Sequence, residues 1–130
     1  MGNYHALDVW KASRALAVST YRATAEFPPE ERFGLTSQMR RAAVSVMSNI
    51  AEGAGRGSDA EFRTFLHIAR GSLYELESQC MLAQELGFGT ATALGAIAEG
   101  VVQTAKPLQG LLKSVRASRG TSKRRPASSQ

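Results

Sequence analysis

The sequence predicts an all-α protein, an antiparallel up-and-down four-helix bundle, on three observations. Apolar residues recur at three- and four-residue spacing in four separate segments. No segment alternates with the period of a strand. Proline and glycine clusters fall between the periodic segments, where helices have to stop. At 130 residues and 43% hydrophobic content, the chain has the size and composition of one compact domain with a sizeable core.

The first helix is expected from about Leu7 to Ala25, with Leu7, Trp10, Ala17, Val18 and Tyr21 on its apolar face. Arg14 falls on the same face, either laying its stem over apolar surface or pairing with a carboxylate across the bundle. Phe27, Pro28 and Pro29 end this helix, because proline has no amide to donate and restricts the residue before it.

The second helix starts near Leu35 and is the most ordered part of the chain. At about 100° per residue, Leu35, Met39, Ala42, Ala43, Val46, Ile50 and Gly53 share one sector, the expected core face. Gln38, Arg41, Ser45, Ser48 and Glu52 form a polar stripe, with Asn49 at its border. Val44, Met47 and Ala51 make a second apolar strip. A helix that is apolar on two sides usually has two neighbours, which is the strongest physical argument here for self-assembly. Gly53, Gly55 and Gly57 follow, either as a phosphate-cradling loop or as a helix stop with glycine in the left-handed conformation. The dinucleotide fingerprint needs a preceding strand and a longer spacing, so the segment reads as a helix-to-helix connector. Ser58 and Glu61 then stand as a capping box for the next helix.

The third helix, Asp59 to about Leu86, aligns Phe62, Phe65, Leu66, Ala69, Leu73, Leu76, Cys80 and Ala83, and Gly87 stops it. Its length is about 40 Å. The fourth begins at a Thr90 or Thr92 cap and aligns Leu94, Ile97, Ala98, Val101, Ala105, Leu108, Leu112 and Val115. Pro107 is expected to bend it with the ring on the outer side. Residues 1–118 form the bundle domain, and 119–130, RGTSKRRPASSQ, have the bias of a basic disordered tail.

The formal charge of +5 is a property of that tail. Arg119, Lys123, Arg124 and Arg125 lie in it without an acid, leaving residues 1–118 with 12 basic against 11 acidic side chains. Such a tail either binds nucleic acid by counterion release or aids solubility. Cys80, the single cysteine, cannot form an intramolecular disulfide and sits on an apolar face as a small core residue. No apolar run reaches the roughly 20 residues of a membrane span, and the N-terminus lacks a signal peptide's regions, so a cytoplasmic protein without membrane attachment is expected.

Two polar constellations carry whatever chemistry the body has. The first joins Arg41, Asn49 and Glu52 of the second helix and Arg56 of the loop to Ser72, Glu75 and Gln79 on the third. With Arg14, these read foremost as a structural network within or between subunits. A ligand or acid/base site built on Glu52 and Glu75 is the other reading, and it needs a cleft that reaches both. The second constellation is Arg63, His67, Arg70 and Tyr74, within about 60° of one another on the third helix. Guanidiniums, an imidazole and a phenol suit phosphates and an unpaired base. An oligomer contact or a plain solvated face are the alternatives. The histidines, His5 and His67, and the lone cysteine supply no metal motif, and no cofactor fingerprint is present.

The stretches LDVWKASRALAVSTY, FPPEERFGLTSQMRRAAVSVMSNIAEGAGRGS and FRTFLHIARGSLYELESQCMLAQELG together resemble the four-helix-bundle family associated with intervening sequences of bacterial 23S ribosomal RNA genes. The resemblance covers about residues 5–115 and is carried by SNIAEG with its downstream R-x-S and by SLYELE. Met47 stands where the family pattern often has proline, which implies a straighter second helix. The resemblance implies an up-and-down bundle that assembles into a homo-oligomeric ring, a homopentamer, with no established enzymatic activity. It extends to the basic, pentameric accessory variability protein of diversity-generating retroelements, which associates with a reverse transcriptase and nucleic acid. A non-enzymatic oligomer that binds RNA or DNA is the first expectation, and an adaptor for a protein partner is the alternative.

Overall fold

The computed structural model describes the backbone of residues 3–127 and the side chains of residues 3–115. Four helices carry the fold: α1 (Asp8–Thr24), α2 (Leu35–Ala54), α3 (Asp59–Leu86) and α4 (Ala91–Ala127), whose backbone is helical through 119–127, where the composition predicts a disordered tail. Single 3-10 turns at Tyr4–Ala6 and Pro29–Glu31 precede α1 and α2, and the described residues contain no strand. Each helix packs on the one before and after it in the chain, and α4 returns to α1. The backbones of the diagonal pairs stay apart, with the shared core between them, a packing compatible with a bundle.

The helix ends follow their local chemistry. Leu35 donates its amide to Glu31 Oε1 at 2.9 Å, so a side chain four residues upstream caps α2. Ser58 Oγ accepts from the Glu61 amide at 3.2 Å and donates to Glu61 Oε1 at 3.3 Å, opening α3. Gly87 closes α3 in the left-handed conformation at φ 73. Thr90 is the side chain that caps α4, accepting from the Ala93 amide at 3.1 Å.

The core faces of α2 and α3 are those the periodicity predicts, except that Phe65 is only half-buried: Met39, Ala43, Val46 and Ile50 are fully enclosed, as are Leu66, Ala69 and Leu76. The face of α1 is a correction. Val18 and Tyr21 lie on the surface, 43% and 45% exposed, while Val9, Leu16, Ala23 and three hydroxyl residues, Ser13, Thr20 and Thr24, turn inward. Those hydroxyls donate to carbonyls of their own helix, Trp10, Leu16 and Thr20, each at 2.8 Å, and so enter the core without an unmet polar group. On α4, Ala98 is exposed and Thr104 takes an inward place, donating to the Gly100 carbonyl. Pro107 is half-buried and lines a shallow groove with Leu7, Asp8 and Val9, so its ring does not stand on the outer side.

The glycine segment is a second correction. Only Gly87 and Gly89 have positive φ among the described residues, and Gly55 ends α2 at φ −85. Gly53 serves a different need. A Cβ built on it would stand 2.7 Å from Phe65 Cβ and 3.0 Å from Phe62 Cδ1, so glycine there lets α2 and α3 approach closely.

Candidate functional site

The polar flank between α2 and α3 is assembled from short local pairs. Ser45 and Ser72 share a hydrogen bond of 2.8 Å across the two helices. Asn49 Nδ2 donates to the Ser45 carbonyl at 2.8 Å and to Ser45 Oγ at 3.0 Å. Further along α3, Gln79 Nε2 donates to Glu75 Oε2 at 3.4 Å, and its buried Oε1 has no partner. Glu52 and Arg56 make an ion pair of 2.8 Å at the helix end, and Arg56 also lies 5.0 Å over the Phe65 ring. Arg41 is exposed and lines an open groove of about 390 Å³ with Phe33, Gln38 and Glu75. Arg14 is an exposed residue of α1, its guanidinium 5.2 Å over the Trp10 ring.

The eight polar residues therefore do not form one network in a subunit. Ser45, Asn49 and Ser72 are one cluster, Glu75 and Gln79 a second, Glu52 and Arg56 a third. Glu52 turns to Arg56 and Glu75 to Gln79, so the two carboxylates do not converge as an acid/base pair. One tie between helices was not legible in the sequence. Arg40 donates from Nε to Thr24 Oγ1 at 2.8 Å and stacks 4.6 Å from the Tyr21 ring centre, pinning α2 to the end of α1.

The second constellation stands together on α3. Arg63, His67 and Arg70 are half-buried, and Tyr74 is 53% exposed. Arg70 Nη2 lies 3.2 Å from His67 Nδ1. An arginine can only donate, so the imidazole accepts at Nδ1 and carries the proton of its neutral form on Nε2. Arg63 Nε is buried and has no hydrogen-bond partner. Arg70 also forms one wall of an open groove of about 410 Å³, whose other residues, Gln109, Gly110, Leu112 and Lys113, come from α4. Lys113 and Gln109 were not singled out in the sequence, because only the packing of α3 on α4 brings them to Arg70. The side chains of Arg119, Lys123, Arg124 and Arg125 lie outside the described residues.

Cys80 faces an apolar groove between α3 and α4 with Met81, Leu94 and Val101. Burial, with the Glu77 carboxylate adding to it, pushes its thiol above the ordinary 9.0, which makes it a poor nucleophile. No group of three or more metal-ligating side chains occurs among the described residues, and none of their helices is long and apolar enough to cross a membrane.

No curated protein matches the chain. The model of the 23S rRNA-intervening sequence proteins matches residues 5–110, which takes in α1, α2, α3, the Arg63–Tyr74 row and α4 as far as Gly110. On that match the chain belongs to the family of 23S rRNA-intervening sequence proteins.

Proposed function

We propose that this chain is a non-enzymatic, cytoplasmic, homo-oligomeric protein whose antiparallel bundle binds nucleic acid, RNA first, through the α3 face that carries Arg63, His67, Arg70 and Tyr74 and through the basic tail. The observation that carries the reading is the row itself: two guanidiniums and an imidazole held half-buried in one line, with a phenol exposed at its end. Half-burial limits their rotamers, so a phosphate contact costs less side-chain entropy than one made by free lysines. The family description, which places these proteins with ribosomal RNA genes, supports the same reading.

The antiparallel course is supported by which residues meet. Gly53 stands against Phe62 and Phe65 while the earlier Ser45 stands against the later Ser72, so numbers fall along α2 as they rise along α3. Assembly is supported by surface that one subunit leaves open. Of the second apolar strip Val44 is exposed while Met47 and Ala51 pack half-buried against the subunit's own core, and Phe33, beside the groove that Arg41 lines, is 85% exposed. A symmetric ring would repeat weak charge contacts and multiply them into avidity.

Salt-titrated binding of single-stranded RNA and of DNA by the full chain, by residues 1–118 and by the Arg63→Ala/Arg70→Ala double variant tests the reading. The expected result is salt-sensitive binding that the double variant weakens. Tail deletion alone abolishing it overturns the role of α3, and a monomer free of co-purified nucleic acid counts against both parts. Phe33 also favours a second reading, an adaptor with a protein partner; Phe33→Ser removing a co-purifying protein while leaving subunit mass unchanged would select it.

A further inference from the structure

We propose that the groove between Arg70 of α3 and Lys113 of α4 is a phosphate seat, which clamps one backbone phosphodiester of single-stranded RNA per subunit. The proposal rests on the nucleic-acid reading above and adds to it a wall contributed by α4. Its first support is composition: Arg70, Gln109, Gly110, Leu112 and Lys113 line the groove, and none of them is an acid. The acid Asp8 lines an adjoining shallow groove that shares Gly110 with this one. Among the described residues neither Arg70 nor Lys113 pairs with a carboxylate.

The second support is donor geometry. Arg70 spends one amino group on His67 Nδ1, which fixes the guanidinium and leaves its remaining donors for an anion. Lys113 offers three rotatable donors from the opposite helix, and Gln109 adds an amide. At Gly110 a Cβ would meet nothing within 4 Å, so the groove is open there for an ester substituent on the phosphate.

The third support is the distribution of charge along the chain. Within the body, residues 100–118 hold no acidic residue and three basic ones, Lys106, Lys113 and Arg116, whereas residues 1–99 carry 9 basic and 11 acidic side chains. The near-neutral body is thus divided, and the attractive half for a polyanion is the half of α4 that forms this wall.

The test uses the full chain, a fluorescent single-stranded oligoribonucleotide and a salt series. Lys113→Gln is expected to weaken binding about fivefold and to flatten the log–log salt slope by about 0.7, the increment for one phosphate on a single strand. Gly110→Leu, which fills the groove and changes no charge, is expected to weaken binding comparably. Arg22→Gln, at the end of α1 away from the groove, should leave it unchanged. If Lys113→Gln and Gly110→Leu both bind as the parent does, the seat is wrong while nucleic-acid binding through other residues stands. If Arg22→Gln weakens binding as much as Lys113→Gln, diffuse charge replaces the seat. Line broadening of the phosphorus signal of inorganic phosphate is the second arm. Broadening that Lys113→Gln removes and the oligoribonucleotide does not compete away assigns the seat to free phosphate and overturns the RNA assignment. A parent chain that binds neither probe overturns the seat and the nucleic-acid reading together.

Discussion

Replacing Gly53, in the last turn of α2, and Gly71, in the interior of α3, by alanine makes the same chemical change, and the structure predicts opposite signs. At Gly71 an added Cβ meets nothing within 4 Å, so only the helix propensity counts, and Gly71→Ala should stabilise by about 0.5–1 kcal/mol. At Gly53 the same propensity gain is opposed by a Cβ placed 2.7 Å from Phe65 Cβ. That neighbour is the first atom of its side chain and cannot swing away, so α2 and α3 must separate until the distance approaches the 3.4 Å of ordinary contact. Overpacking of this kind costs about 1–3 kcal/mol, which leaves Gly53→Ala less stable by about 1 kcal/mol after the propensity gain. The two variants should differ by about 2 kcal/mol, or about 8 °C in Tm for a chain of this size. Thermal melts at one fixed protomer concentration measure it, since oligomer formation makes Tm concentration-dependent. Gly53→Ala melting at or above the parent temperature would refute the close approach of α2 and α3 as the reason for that glycine.

Ser45→Ala and Ser72→Ala should each cost about 1 kcal/mol in denaturant unfolding, and the double variant should cost clearly less than their sum, because both remove the one 2.8 Å bond. Glu52→Ala should change stability by no more than about 0.5 kcal/mol, since Glu52 and Arg56 form a half-exposed i,i+4 pair at a helix end; a larger loss together with a lower oligomer mass would place its partner on another subunit. The folded state holds the Cys80 proton more tightly than the unfolded chain does, so the associated stability is present below pH 9.0 and is lost as pH rises through the raised folded value. Unfolding curves of the parent should therefore fall more steeply above pH 9 than those of Cys80→Ala, and alkylation of the folded thiol at pH 8 should be slow against the unfolded chain.

Periodicity was enough for most of α3, where the residues at three- and four-residue spacing from Phe62 to Ala83, apart from the half-buried Phe65, line the core and Gly87 ends the helix. It misled at α1 because it scores hydroxyl side chains as outward. Ser13, Thr20 and Thr24 can be enclosed once each has a carbonyl of its own helix, and the helix then turns so that Val18 and Tyr21 reach the surface. The glycines of the α2–α3 connector had a correct position and an incorrect reason, since the need for Gly53 lies in a neighbouring helix. The polar candidates show the same division. The row on α3 is one helix's own repeat and was readable, whereas its α4 wall and the Arg40–Thr24 tie exist only after two helices pack.

That packing also divides the α3/α4 face in two along its length. Near the turn between the helices it is apolar, with Met81, Val101 and Val102 around Cys80, and the acid that lines it is Glu77. Further along it is cationic, with Arg70 and Lys113 in one groove and Arg63 one further step down α3. Apolar surface bordered by an acid disfavours a polyanion and suits a protein surface, and the cationic groove does the reverse. Association with a protein and binding of nucleic acid therefore place no competing demands on this face. On the proposed nucleic-acid reading, a protein contact at the turn end would leave the groove open, and Glu77 would repel a strand toward α4's acid-free half. The net +1 of residues 1–118 is then a poor guide to what the body binds, because the average of two opposed ends hides both.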